Sequence, residues 1–368
     1  MGFLVKPRIE LYESLKDFIK EKELGKGDLI ITNEYVLKPQ IDEADVPCDV
    51  MYQEKYGQGE PNEEMVGAML REAQGKSYKR IIPIGGGTVI DISKLFVYGD
   101  GYDLEEIYAQ GSVLEKKREL IAVPTTCGTG SEVTNIAIVE FKAKQSKYGL
   151  AVSQLFADEA ALIPSMLNTL PFDVFAASSI DALIHAMESH VSPKANEFSR
   201  IFGRTAMEKI LGGYRKLRES GERKMPEDMK DFMIASTMAG IAFLNAGCAA
   251  VHALSFPLGA NYHVPHGSAC YIVFEETFKM YKELGADISP AEDALAEILK
   301  CDKDKIWSEL FDLLGFILPR QKLGEFGTDE AKCDEMAASA IENQQRLLKN
   351  NPVELSRQQI KTIYKRCI

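Results

Sequence analysis

Asp181 and His185 stand four residues apart in a segment that reads as helix, so their side chains share one face and can hold one cation. The plainer alternative for that spacing is a solvated or capping pair. The chain has five histidines, His185, His190, His252, His263 and His266, and all lie between residues 185 and 266. His252 reads as the end of one long helix and His266, in VPHG, as the start of the next. Pro257, Gly259, Pro265 and Gly267 turn the chain between them, and such a reversal can return the second imidazole beside the first. One carboxylate and three imidazoles make a ligand set suited to Fe(II) or Zn(II), with a position left for a substrate oxygen. No motif recruits His190.

Two glycine-rich loops offer a different chemistry. RIIPIGGGTVIDISKLF sets Gly85, Gly86 and Gly87 directly after a strand and before a helix, where backbone N–H groups and the helix N-terminus favour a diphosphate. The spacing matches neither G-x-G-x-x-G nor the Walker pattern, and a plain strand-to-helix turn is the alternative. Asp91 and Lys94 on that helix read as an ordinary exposed pair. VPTTCGTGSEVTN follows another strand and supplies hydroxyls from Thr125, Thr126, Thr129 and Ser131, with Gly128 and Gly130 permitting close backbone approach. Two such loops at strand C-termini of one parallel sheet lie on the same edge, where α/β folds bind ligands. Together they point to a dinucleotide.

The elements that must position these groups follow from the apolar pattern. Short Ile- and Val-rich runs at Leu29 to Thr32, Val50 to Gln53, Arg80 to Ile84 and Leu120 to Val123 alternate with amphipathic stretches, the pattern of βαβ units. Val66, Met69, Leu70 and Ala73 form one apolar helical face. Pro83 conflicts with its strand, because it can donate no ladder hydrogen bond. Prolines bracket IPSMLNTLP, and beyond it helices are expected at 173–191, 197–218, 227–256, 267–284, 291–299, 303–316 and 329–349. The expected organisation is an α/β dinucleotide-binding domain over 1–168, with a mainly parallel, Rossmann-like sheet, and an all-helical metal-binding and substrate domain over 169–368.

Composition narrows the partners. A chain of 368 residues with 45% hydrophobic and 27% charged residues has the proportions of a folded globular protein. Its net charge of −12 repels phosphate backbones, so nucleic acid is not expected. No run of ~18 uncharged apolar residues suggests a membrane span, and a cytoplasmic protein is expected. The seven cysteines are odd in number and never form C-x-x-C, which argues against a disulfide framework and a thiolate zinc site.

GGGTVIDISK, PTTCGTGSEVT, DALIHAMES, VHALSFPLGANYHVPHG and the closing NNP at Asn350 to Pro352 resemble the iron-dependent (group III) alcohol dehydrogenases, in the same order and across nearly the whole chain. That resemblance implies the dehydroquinate synthase-like, iron-containing alcohol dehydrogenase fold and an NAD(P)-linked, metal-dependent oxidoreductase. It implies metal ligands at Asp181, His185, His252 and His266, with Fe(II) as the ion and Zn(II) possible. It implies cofactor contacts from Asn33, Gly86, Gly87, Thr88, Asp91, Thr125, Thr126 and Ser131, with Lys147 as a ribose contact, and a homo-oligomer. EKYGQGEP, SSIDALIHA, AGIAF, NYHVPHG and QQRLL narrow the implied substrate to 4-hydroxybutyrate and succinate semialdehyde.

Three departures from the family pattern stand out. Asn33 replaces the usual Asp after LIIT, so the sequence does not choose between NAD and NADP. Phe256 replaces a common histidine four residues after His252, which removes a proton relay there and leaves His263 as the substitute. Thr88 replaces a serine and keeps the hydroxyl. The substrate carboxylate requires a cation or N–H donors, and no Lys or Arg lies in 245–266. Rival readings are a primary-alcohol or diol dehydrogenase, a metal-dependent hydrolase built on the same ligands, and a nucleotide-binding regulatory protein without turnover.

Overall fold

A computed structural model describes residues 2–142 and 146–368. The chain forms two compact units, Val5–Leu170 and Pro171–Ile368, the second joined by the first residues through Leu4. The division falls at Leu170, beside the prolines that bracket IPSMLNTLP. Leu4 is tied to the helical unit by its amide, which donates to Asn245 Oδ1 at 2.7 Å.

The first unit runs β1 (Arg8–Leu11), α1 (Leu15–Glu21), β2 (Asp28–Thr32), α2 (Glu34–Leu37), β3 (Asp49–Tyr52), α3 (Glu63–Ala73), β4 (Arg80–Gly85), α4 (Gly87–Lys94), α5 (Leu104–Gln110), β5 (Glu119–Pro124), β6 (Ile136–Phe141), β7 (Ser146–Ala151) and β8 (Glu159–Leu162). Six strands make a parallel sheet in the order β1-β8-β5-β4-β2-β3, and β6 and β7 form a separate antiparallel pair. Successive residues of a strand point to opposite faces. Leu29 and Ile31 therefore enter one core with Val66, Met69 and Phe96, while Ile30 enters the other with Phe18 and Ile84. A sheet covered on both faces accounts for the continuous apolar runs.

The four expected strands and the 63–73 helix are all present. The conflict at Pro83 resolves in the register. β4 pairs continuously with β2, Pro83 opposite Ile31, while pairing with β5 is interrupted between Ile81 and Ile84. Pro83 occupies the gap where no donor is required. β1, β6, β7 and β8 escape the apolar pattern because β1 is an edge strand with mostly exposed side chains, β8 is four residues centred on Ala160 and Ala161, β6 is buried only at alternate residues, and none of the described β7 side chains is fully buried.

The second unit consists, among the described residues, of helices α6 (Phe172–Val191), α7 (Glu197–Ser220), α8 (Met229–Ala246), α9 (Ala250–Tyr262), α10 (His266–Glu283), α11 (Ser289–Leu299), α12 (Ile306–Ile317), α13 (Glu330–Asn343), α14 (Gln345–Leu348) and α15 (Arg357–Arg366). The expected helix over 227–256 is two, α8 and α9, meeting at a bend of 108°. Gly247 makes the corner with φ +85, in contact with the Asn350 side chain where any Cβ would collide. His252 therefore opens α9 rather than ending a long helix, and Pro257 and Gly259 lie inside α9 rather than in a turn. No single helix among the described residues is long and apolar enough to cross a membrane.

Candidate metal centre and nucleotide cradle

α6 is buried around nearly its whole circumference by α7, α8 and α10, so the polar groups it carries are removed from water. Asp181, His185 and Glu188 lie at i, i+4 and i+7 and share one face. α9 brings His252 to that face in its first turn, and α10 brings His266 as its first residue. Gly267 allows the approach: a Cβ there would collide with the backbone carbonyl of Ala177 on α6. Asp181 Oδ1 lies 3.4 Å from His252 Nε2 and 3.8 Å from His266 Nε2. The His185 ring stacks between His252, at 4.3 Å, and Phe243, at 4.4 Å. Phe256 stacks on His266 at 5.9 Å, so the residue that removes a possible relay supports an imidazole instead.

Glu188 is the residue that sequence reasoning passed over. Its fully buried carboxylate accepts from Ala249 N at 3.0 Å, Val251 N at 2.6 Å and His252 Nδ1 at 2.6 Å. A carboxylate already accepting two amides requires the ring nitrogen to donate, which leaves the His252 Nε2 lone pair facing Asp181. Its spacing, seven residues after Asp181 and three after His185, was the available signal. Glu188 also satisfies the amides of the 247–251 corner, so one side chain fixes both the backbone and the imidazole.

The electrostatics favour a cation. Burial alone would lower the His252 pKa, but Glu188 and Asp181 outweigh it and raise it to about 9. Burial alone would raise that of Asp181, but His185, His266 and His252 hold it below the ordinary carboxylate range. Asp181 Oδ1 and His252 Nε2 are buried and have no hydrogen-bond partner. Without an ion His252 is held charged between Glu188 and Asp181; a divalent cation in place of the Nε2 proton supplies the same positive charge and the bonds that Asp181 Oδ1 and His252 Nε2 lack, with a second imidazole beside them. His266, with 34% of its side chain exposed, is the open side of the group. His190 is buried elsewhere, its pKa pushed down to about 4 by burial and by Arg200 and Arg204. His263 is exposed at the C-terminal cap of α9 with φ +55, and the structure does not bring it into the buried group.

In the α/β unit the two glycine loops meet at the C-terminal edge of the sheet, where Thr125 N donates to Gly85 O at 3.0 Å. Gly86 caps α4 without a side-chain hydrogen bond and no acidic residue occupies the first turn, so the helix presents free amides to an anion. A Cβ on Gly87 would come within 2.9 Å of Thr129 Cγ2, so the second loop packs directly on the first. Thr88 and Thr126 are half-buried at this edge, and Thr125 is buried. Asp91 is not part of an exposed pair. It accepts from Lys94 Nζ and Ser131 Oγ, both at 3.0 Å, and from Ile138 N at 3.2 Å, and Lys94 is wholly buried. Asp91 and Ser131 thus tie the second loop to α4. Asn33, at the end of β2, donates to Gln53 and to Glu54 Oε2 at 2.9 Å. Lys147 pairs with Glu60. None of the seven cysteines forms a disulfide.

Comparison with known proteins identifies the family along most of the chain. Residues 11–164 match the family model for iron-containing alcohol dehydrogenase, and residues 175–368 that for the C-terminal part of the Fe-containing alcohol dehydrogenase family. The chain is 45% identical over 362 residues to 4-hydroxybutyrate dehydrogenase from Clostridium kluyveri, covering 98% of each sequence. Its fold is similar to sulfoacetaldehyde reductase from Bifidobacterium kashiwanohense in complex with NAD+, with a TM-score of 0.85, 22% identity, and coverage of 100% of this chain and 98% of that one. It is also similar to 1,3-propanediol oxidoreductase, with a TM-score of 0.83, 21% identity, and coverage of 100% and 99%.

Proposed function

Because the chain belongs to the iron-containing alcohol dehydrogenase family, we propose that it interconverts 4-hydroxybutyrate and succinate semialdehyde, with NAD as hydride carrier and Fe(II), or alternatively Zn(II), held by Asp181, His185, His252 and His266. The substrate rests on the 45% identity to a 4-hydroxybutyrate dehydrogenase along the full length of both sequences. The chemistry rests on one observation, the buried, unpartnered Asp181 Oδ1 and His252 Nε2 facing His266.

When bound, the ion supplies Lewis acidity at the substrate oxygen and the nicotinamide carries the hydride. The protein's own part is orientation and electrostatics. Glu188 holds His252 Nδ1 protonated so that Nε2 is the atom offered to the ion, Asp181 stays ionised, and Phe243 and Phe256 stack on the outer imidazoles and orient them. Phe256 offers no relay, so the proton of the alcohol leaves on the exposed side of His266, to water or by way of the exposed His263. The free amides of α4 and the Thr125 and Thr126 hydroxyls receive the diphosphate.

For the substrate carboxylate the candidate is Arg346. It lies on α14, which packs against α9, and its carbonyl shares Asn350 Nδ2 with that of Cys248 at the α8–α9 corner. It has no ion pair among the described residues. We further propose a cytoplasmic homo-oligomer, in line with seven cysteines outside any disulfide and with exposed Leu11, Phe198 and Ile201.

The test is anaerobic reconstitution with Fe(II) and a continuous assay of NADH consumption with succinate semialdehyde and, separately, butanal. The reading expects the semialdehyde to be preferred. Preference for butanal removes the substrate and leaves a primary-alcohol dehydrogenase, while consumption with neither removes the dehydrogenase.

A further inference from the structure

Two buried thiols border the imidazole group, although no C-x-x-C spacing announced them. Cys270 lies one helical turn after His266 on α10, and its Sγ is 3.8 Å from His266 Nε2. One donor atom from each of Asp181, His252, His266 and Cys270 lies within 4.8 Å of every other. Cys248 belongs to a second such group, with His185 and His252. Cys270 is fully buried, and the Ser255 hydroxyl lies against its sulfur. A lone buried cysteine is ordinary core packing. What distinguishes Cys270 is that two of the atoms it joins, Asp181 Oδ1 and His252 Nε2, are buried polar atoms without hydrogen-bond partners.

We propose that Cys270 is a fifth metal-binding residue of this centre, a sulfur donor that a soft divalent ion, Zn(II) or Co(II), takes into its coordination sphere with Asp181, His252 and His266. This rests on the reading that the pocket holds a divalent ion, and it adds a sulfur to the nitrogen and oxygen donors assigned from the sequence. On coordination the S–H proton passes to solvent and the sulfur lone pair forms the bond to the ion, with no change of oxidation state. Thiolate selects Zn(II) over harder ions, so the side chain biases the pocket toward zinc. His185, stacked between Phe243 and His252, serves the alternative arrangement with Fe(II), which is content with nitrogen and oxygen.

Cobalt makes the sulfur visible. The full-length protein, stripped of metal, is titrated anaerobically with Co(II) and its absorption spectrum recorded, alongside Cys270→Ser and Cys248→Ser. The proposal expects cobalt d–d bands in all three proteins, and a near-ultraviolet sulfur-to-cobalt charge-transfer band that Cys270→Ser loses and Cys248→Ser keeps. It also expects the preference for Zn(II) over Fe(II) to fall about tenfold in Cys270→Ser. Bands of bound cobalt without charge transfer, or charge transfer that only Cys248→Ser abolishes, overturn the role of Cys270 and leave the ion site standing. Failure of the unmutated protein to bind cobalt overturns the ion site and this proposal with it. X-ray absorption of the unmutated zinc-loaded protein decides the matter even if a variant does not fold. A Zn–S shell at about 2.3 Å supports the proposal, and only nitrogen and oxygen at about 2.0–2.1 Å overturns it.

Discussion

Replacing Glu188 with glutamine removes a charge while keeping shape, and its consequences can be worked from three contacts. Oε2 accepts both Ala249 N and His252 Nδ1, and Oε1 accepts Val251 N. The glutamine oxygen can take the Oε2 position and keep two of these bonds. Its amide nitrogen then faces the Val251 N–H, donor against donor, in a site with no access to water. An unsatisfied buried donor costs about 1–3 kcal/mol of stability. The second effect falls on the ion: loss of a partner that orients a metal-binding histidine weakens metal affinity roughly 10–100-fold, which is about 1.4–2.7 kcal/mol. The two effects separate in the assay. Urea unfolding of the metal-free protein reads the first, and chelator competition for Zn(II) on folded protein reads the second. Glu188→Gln should lower both. A variant that loses stability but keeps its metal affinity would refute the argument, because Glu188 would then only be bracing the α8–α9 corner.

His190, on α6 beyond the expected ligands, has a pKa of about 4, below the ordinary 6.5. Its contribution to stability is present above pH 6.5 and lost as pH falls through 4, on the order of 3 kcal/mol. The unfolding free energies of the unmutated protein and His190→Gln, followed across that range, should therefore converge in acid, and parallel curves would contradict the assignment. Gly267→Ala should push α10 away from Ala177, destabilise the fold by about 1–3 kcal/mol, and weaken metal binding through His266, as thermal unfolding and metal titration would show. Arg346→Ala should raise the KM for succinate semialdehyde roughly 10–100-fold, the loss of a charged hydrogen bond, with kcat and butanal turnover little changed. An equal fall with both aldehydes would exclude it as the carboxylate's partner.

The parallel sheet was legible because burial on both faces forces continuous apolar runs, and β2, β4 and β5 carry them. Edge strand β1 and alanine-centred β8 carry no such pressure and left no pattern. In the helical unit, length and composition gave most of the helices, but not α15, and joined α13 and α14 into one. They could not show that Gly247 breaks one segment into α8 and α9, because the break depends on Asn350, distant in sequence. The four expected ligands lay in recognisable motifs. Glu188 and Cys270 stand on the same helices at helical spacing from those ligands, but their roles depend on what α9 and α6 bring opposite them. Asp91 illustrates the converse: the pair it makes with Lys94 read as exposed, while the fold half-buries it against Lys94 and Ser131.

The most direct measurement is the metal content of purified, Fe(II)-reconstituted protein beside Asp181→Ala and His252→Ala, with NADH-dependent reduction of succinate semialdehyde followed on the same samples. The unmutated chain should hold a single ion and turn over, and each variant should lose ion and turnover together while circular dichroism shows the helical fold intact. Folded variants that keep full metal occupancy and activity would contradict the placement of the reaction at Asp181 and His252.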